Sequence, residues 1–448
     1  MKHYDAAVIG GGILGCFTAR NLRRWKISTI LIEKEDDVCR GITRANSAIV
    51  YPGYDNKPGS LKAELTVRGN ANMEKLCAEL EVPFSRCGSL LVTYDEASVP
   101  RLEKKLQNGI RNGVPGLRLL TGAEAEAMEP MLKKGVAAAL YAPGTGTVNP
   151  WQLGIAAWEN ALQNGAEARL GTEVLRIRRE NDGYILDTGR ETIHCKMVFN
   201  CAGLSADKVQ ELCFDPDIRL EPDGAEYLVL DRLAPRPGRV IFHQAHACGK
   251  GITAVPCVEG NLLLSGVRKP LADPYATTAA GLEELCRSSR ELLPEVDLSK
   301  VIRSFGAVRP NPYRENGESL HDFCITNPAP GFYSLIGIKT PGLTCANELG
   351  MELARRASAY LGVEVNTTFD PRRGAIGRKN EPDYYEIVCR CEHITRGEIL
   401  EAIRRGARTV EGVKRRLGTG MGRCQGSRCA WEIAKLLIET GANLTPTF

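Results

Sequence analysis

Apolar and polar positions are arranged in two different ways along this chain. From Asp5 an apolar run, Ala6-Ala-Val-Ile9, meets a Gly-rich turn, a helical stretch to about residue 24 and a second apolar run over 28–33. Buried strand, turn, helix and strand predict a βαβ unit. Over about 82–143 and again 216–329 the pattern changes to short strands such as 89–94, 225–230 and 261–266. These predict a mostly antiparallel sheet in place of regular βαβ alternation. After about residue 360 the chain turns polar and rich in Pro, Gly and Asn, which predicts a linker. Three short helices follow. Thr395-Arg-Gly-Glu398 is a capping box opening the first, a second lies over about 410–417, and an amphipathic third runs over about 430–439.

The first turn reads Gly10-Gly-Gly12-Ile-Leu-Gly15. Gly10 allows a tight turn, Gly12 lets backbone approach a pyrophosphate, and Gly15 lets helix pack on strand. The helix N-terminus then offers free N–H groups and its dipole to phosphates. Glu33 ends the second strand, where a carboxylate accepts hydrogen bonds from ribose hydroxyls. No second motif of this kind follows a strand, so one dinucleotide is held this way. A later strand over 196–203 ends in Ala202 and Gly203. Such small residues suit a strand tip lying against the same ligand, or an ordinary buried parallel strand ending in a turn.

Composition narrows the picture. The chain has 448 residues, 25% charged and 43% hydrophobic, with a formal net charge of +4. That is enough apolar material for two or more domains and excludes a disordered or collagen-like chain. Near-balanced charge and only 6% aromatics argue against nucleic acid as a partner. The apolar stretches fall short of the roughly 20 residues a membrane span needs. The residues from Met1 have no signal-peptide pattern, so a cytoplasmic protein is expected, with membrane contact only peripheral or through a partner.

Sixteen cysteines stand out. Cys16, Cys39, Cys77, Cys87, Cys195, Cys201, Cys213, Cys248, Cys257, Cys286, Cys324 and Cys345 are solitary and read as core-filling thiols. The other four are Cys389-Arg-Cys391 and, beyond 32 residues, Cys424-Gln-Gly-Ser-Arg-Cys429. Four thiolates can hold a [2Fe–2S] cluster or a structural zinc. Zinc sites favour two Cys-x2-Cys knuckles, and this spacing does not match them.

These residues carry a resemblance. Gly10 to Gly15 with Glu33, Arg44-Ala-Asn-Ser-Ala-Ile-Val-Tyr-Pro-Gly-Tyr-Asp55, Lys57-Pro-Gly-Ser-Leu-Lys62, Phe199-Asn-Cys-Ala-Gly203 and Ile336-Gly-Ile-Lys-Thr-Pro-Gly-Leu-Thr344 resemble the D-amino-acid oxidase-like family of FAD oxidoreductases. Within it they are nearest to the flavoprotein subunit of anaerobic glycerol-3-phosphate dehydrogenases and to the L-2-hydroxyglutarate dehydrogenases. The module containing Gly412-Val-Lys-Arg-Arg416 and the four clustered cysteines resembles the bacterioferritin-associated ferredoxin-like [2Fe–2S] domain.

The resemblance implies an α/β fold: a Rossmann-like FAD-binding domain (1–81, 144–215, 330–370), an inserted mostly antiparallel substrate domain (82–143, 216–329), a linker (371–386) and a small helical [2Fe–2S] domain (387–448). It implies FAD, held by Gly10, Gly12, Gly15, Glu33, Ala202, Gly203, Gly342, Leu343 and Thr344, and a cluster on Cys389, Cys391, Cys424 and Cys429. In Ser304-Phe-Gly-Ala-Val-Arg-Pro310, Arg309 matches the arginine such enzymes direct at a substrate carboxylate or phosphate. Lys339 favours a phosphate substrate. Relatives often have a histidine where this chain has Tyr51, so the general base is sought elsewhere, with His243 and His246 as candidates. Flavin and cluster on one chain imply substrate oxidation followed by outward transfer of single electrons to a partner flavoprotein or iron–sulfur subunit. The leading expectation is oxidation of sn-glycerol 3-phosphate to dihydroxyacetone phosphate. L-2-hydroxyglutarate or a proline-like amino or imino acid is the alternative substrate, and a non-catalytic electron-transfer subunit the alternative role. Lys414-Arg-Arg416 reads as a solvated helix face, with a docking patch as its alternative.

Overall fold

The computed structural model describes residues 2–215, 217–244, 250–266, 273, 275–374, 376–377 and 379–442. Its first sheet runs, in spatial order, Arg176–Glu180, Gly183–Asp187, Thr192–Asn200, Lys2–Ile9, Thr29–Ile32 and Glu167–Arg169, with Phe332–Ile336 joined to Thr192–Asn200 and Cys324–Ala329 joined to Phe332–Ile336. Lys2–Ile9 pairs in parallel with both of its neighbours. Apolar side chains on both faces of a strand require cover on both sides. Ala6 and Val8 pack with the helices Ile13–Leu22, Pro150–Gln163 and Gly342–Leu361 on one side, while Tyr4, Ala7 and Ile9 face Leu186, Ile193 and Phe332 on the other.

The second sheet has eight strands in the order Val301–Arg314, Ile218–Leu230, Leu262–Ser265, Lys250–Pro256, Val240–Gln244, Ser89–Thr93, Ala138–Ala142 and Arg118–Thr121. All its pairings are antiparallel except that between Val240–Gln244 and Ser89–Thr93. Period-two burial separates two cores: Leu90, Val92 and Ile241 on one face, Leu91, Val240 and Phe242 on the other. Cys324–Ala329 lies in the segment expected to be inserted, yet it hydrogen-bonds within the first sheet.

The three C-terminal helices, Arg396–Arg404, Val410–Leu417 and Cys429–Glu439, enclose Ile399, Ile403, Val413, Ile433 and Leu437. The capping box is formed: Thr395 Oγ1 accepts from Glu398 N, and the Glu398 carboxylate accepts from Thr395 N. The start of the expected linker is fastened to the first domain. Asn160 Nδ2 donates to the carbonyls of Asp370 and Arg372, and Arg373 N donates to the Glu79 carbonyl.

The basic run corrects the sequence reading. Arg415 and Arg416 are neither a solvated face nor a docking patch; their side chains are only 8% and 2% exposed. Both donate to Asp37 at 2.8 Å, from the loop after Thr29–Ile32, and Arg416 lies 3.4 Å from Glu159. Arg373 and Arg405 reach the same Glu159 at 2.8 and 3.4 Å. Burial alone would raise the Asp37 carboxyl, but the two guanidiniums outweigh it and hold it below the ordinary range. This network clamps the small domain onto the first.

Among the described residues no helix is long and apolar enough to cross a membrane, and none of the fifteen cysteines is in a disulfide. Cys248, also read as a thiol, lies outside the described residues.

Candidate functional site

A cleft of about 410 Å³ opens at the C-terminal ends of the parallel strands, where open α/β sheets bind ligands. Its walls follow the sequence motifs. Gly10, Gly12, Glu33, Ala202, Gly203, Gly342 and Leu343 all line it. Gly10 has φ +101°, and a Cβ there would sit 2.7 Å from the Cys201 carbonyl oxygen. Only glycine fits. Gly15 does not line the cleft; a Cβ on it would lie 1.9 Å from the Gly10 carbonyl oxygen, so it permits the helix to pack on the turn. Gly12 provides no cap to helix Ile13–Leu22, and Thr43 Oγ1 accepts from Ile13 N at 3.0 Å, which leaves the next N–H groups of the first turn to a phosphate. The Glu33 carboxylate accepts from Gly11 N and Glu35 N, and burial raises it above the usual carboxylate range. A carboxylate has about four acceptor positions, so room for ribose hydroxyls remains. At the far end helix Gly342–Leu361 also begins without a side-chain cap. Thr344 is buried beneath it, and its Oγ1 accepts from Tyr51 N at 3.0 Å. It supports the wall from behind. The residues present therefore fit a flavin dinucleotide along this cleft.

A second cavity of about 1070 Å³ shares Ser47, Tyr51, Arg309, Lys339, Thr340 and Pro341 with the first. Arg309 stands on Val301–Arg314 opposite Asp223. Lys339 follows Phe332–Ile336, is buried, and donates from Nζ to the Leu320 carbonyl at 3.1 Å. A third cation joins them. Lys62, also buried, donates to the His321 carbonyl at 2.9 Å. Neither lysine has a carboxylate within ion-pair distance among the described residues. Burial, then repulsion from Lys339 and Arg309, pulls Lys62 down to about 8. Burial, then Arg309, also lowers Lys339. The sequence reading did not count Lys62 among the site residues. Its signal was local. Ser60 caps helix Leu61–Leu80 through Ala63 N, so Lys62 occupies a first turn, where a cation opposes the dipole. Such broken rules cluster at functional positions.

His243 is a correction. Along Val240–Gln244 Phe242 faces the larger cavity, so by strand alternation His243 faces away, beside Tyr94 and Gly251 and outside the lining of either cavity. It is not placed to take a substrate proton. His246 lies outside the described residues. Tyr51 is on the wall of both cavities, stacked 6.0 Å from Phe242.

In the small domain the loop-borne thiols converge as two pairs. Cys391 Sγ lies 3.5 Å from Cys424 Sγ, and Cys389 hydrogen-bonds with Cys429. Among the described residues no three donors surround one point as a single metal ion would need. Two facing pairs fit a two-iron cluster. Within the second pair the hydrogen bond between Cys429 and Cys389 lowers Cys389 and raises Cys429, so in the absence of iron the two sulfurs share a proton.

Comparison with known proteins agrees with this geometry. Residues 5–356 match the FAD dependent oxidoreductase family, and residues 387–439 match the BFD-like [2Fe-2S] binding domain. A glycerol 3-phosphate dehydrogenase of Caloramator mitchellensis is 37% identical, with 99% of this chain and 95% of that protein aligned. An L-2-hydroxyglutarate dehydrogenase of Indibacter alkaliphilus is 28% identical over 78% of this chain and 97% of its own. Among solved structures, the dithionite-reduced L-alpha-glycerophosphate oxidase of Mycoplasma pneumoniae with FAD bound superposes with a TM-score of 0.76 at 25% identity, covering 83% of this chain and 99% of that one. FAD and a [2Fe–2S] cluster are the cofactors of this chain.

Proposed function

The chain belongs to the FAD dependent oxidoreductase family, and from that premise we propose that it oxidises sn-glycerol 3-phosphate to dihydroxyacetone phosphate and sends the electrons through its cluster to a separate acceptor protein. The observation that carries this reading is the convergence of Arg309, Lys339 and Lys62 on one cavity continuous with the flavin cleft. The two ammonium groups donate to carbonyls, Lys62 also lying 5.4 Å from the centre of the Phe323 ring, and neither has a carboxylate within ion-pair distance among the described residues. A phosphate dianion would compensate both, and the guanidinium would take two of its oxygens in a fork. The Caloramator relative, aligned across both domains, supports the same substrate.

Flavin, when bound, supplies the two-electron acceptor. Anchoring the phosphate on Arg309, Lys339 and Lys62 fixes one end of the substrate and turns its secondary alcohol towards the cleft. The C2 hydrogen then leaves with both C–H electrons, the hydroxyl proton is released, and the ketone remains. Tyr51 and Phe242 provide an apolar wall that limits water at the carbinol. Anaerobic addition of sn-glycerol 3-phosphate to the oxidised holoenzyme is expected to bleach the flavin absorbance, with L-2-hydroxyglutarate and proline far slower. Bleaching by L-2-hydroxyglutarate alone would reassign the substrate, and no bleaching by any of them would leave the chain a non-catalytic electron carrier.

A further inference from the structure

The four cysteine sulfurs differ in exposure. Cys389 and Cys429 are 1% exposed, whereas Cys391 and Cys424 are half-buried and border a cavity of about 420 Å³ at the seam with the second sheet. Four arginines line that cavity: Arg232, Arg390, Arg423 and Arg428. Arg232 is already engaged, donating to the Cys391 carbonyl and lying 3.6 Å from Glu392. The other three are exposed, and none has a carboxylate within ion-pair distance among the described residues. One helical turn beyond Arg428, Trp431 is 67% exposed, with the Lys435 ammonium 5.5 Å from its ring. Asp231 and Glu392 also line the cavity, so around the two accessible cluster ligands guanidinium outnumbers carboxylate four to two, on a chain of nearly balanced overall charge.

We propose that this face docks an acidic one-electron acceptor protein, with carboxylates seated on Arg390, Arg423 and Arg428 and Trp431 as an apolar anchor. The proposal rests on the reading that electrons leave through the cluster. Each transfer oxidises the cluster by one electron and reduces the acceptor by one, with no proton moved. Arginine and tryptophan are the residues that dominate interface energies, and opposite charge across the contact raises the association rate in a salt-dependent way.

The test starts from dithionite-reduced holoenzyme, so that it does not depend on substrate oxidation. Recovery of the cluster's visible absorbance is followed with anionic Fe(III)–EDTA and cationic hexaammineruthenium(III). Binding of an acidic [2Fe–2S] ferredoxin is measured by titration calorimetry. Fe(III)–EDTA is expected to react faster at low ionic strength, with its advantage falling about tenfold as salt is raised. Arg390→Glu/Arg423→Glu/Arg428→Glu should reverse the order of the two oxidants and abolish ferredoxin binding. The single exposed change Arg390→Glu, with iron content verified, should shift both in the same direction. An unchanged oxidant ratio in the variants, or a preference for Fe(III)–EDTA without any ferredoxin binding, overturns the proposal. If the cluster exchanges electrons in this way yet stays oxidised when substrate bleaches the flavin, the electron route fails while the docking face stands.

Discussion

Two groups of cations in this molecule have opposite fates. Arg415 and Arg416 are neighbours in the chain and look like a binding patch, yet each guanidinium ends on Asp37 in a buried clamp between domains. Arg309, Lys339 and Lys62 are scattered through the sequence, yet they meet in one cavity where the two ammonium groups donate to carbonyls and lie beyond ion-pair distance of Asp223 and Asp322. A buried charge facing a carboxylate is satisfied and structural. A buried ammonium that donates to carbonyls, with Asp223 and Asp322 of the same lining beyond ion-pair distance, keeps capacity for an anion. The balance of charge in space therefore separates scaffold from site, and the density of charge along the chain does not.

The largest effect expected comes from breaking the compensated group. Asp37→Ala leaves Arg415 without its carboxylate and Arg416 with only Glu159 at 3.4 Å, and should cost about 3–5 kcal/mol, seen in calorimetry as a transition of the small domain moved to lower temperature. If the melt is unchanged, the clamp is not a buried ion pair in solution.

Next comes the group in the cavity. Lys339→Met should lower kcat/KM for sn-glycerol 3-phosphate about 10- to 100-fold, the range for one charge-assisted hydrogen bond of about 1.5–3 kcal/mol. The melting temperature should hold or rise, because the variant removes a buried charge with no carboxylate within ion-pair distance, Asp223 acting only from farther away. Steady-state kinetics beside a thermal melt separates the two effects, and a large loss of stability with unchanged kinetics would move Lys339 into the scaffold.

The smallest effect is a pH dependence. With Lys62 drawn down to about 8, kcat/KM for the phosphate substrate should fall as pH rises through that value and this cation is lost. Lys62→Gln should be several-fold slower below pH 8 and lack this limb. Stability should move the other way. The unfolded lysine titrates near 10.4, so between about 8 and 10.4 the unfolded chain binds more protons and folding gains with pH. A wild-type profile flat to pH 10 would show that Lys62 keeps its proton throughout and is better compensated than its neighbours imply.

Much of this was legible in the residues because the relevant interactions are local. Gly10 at positive φ, the Thr395–Glu398 capping box and the boundaries of Val410–Leu417 depend on a few consecutive positions. His243 went astray because its side of the strand is set by which sheet face meets the cavity. Thr344 went astray because helix Gly342–Leu361 turns it under Tyr51. Cys324–Ala329 was misplaced because a strand's partner is chosen by long-range pairing.

A dinucleotide site and a four-thiolate centre were readable from the residues, since the Gly-rich turn and the two cysteine pairs are short-range devices, and the resemblance added that the dinucleotide is FAD and the centre a [2Fe–2S] cluster. Tertiary structure alone decided which charges are spent and which are available. Compensation depends on where carboxylates from distant segments arrive, as Asp37 does at the Arg416 guanidinium, whereas Asp322 hydrogen-bonds the Lys62 backbone N–H and leaves its ammonium to a carbonyl.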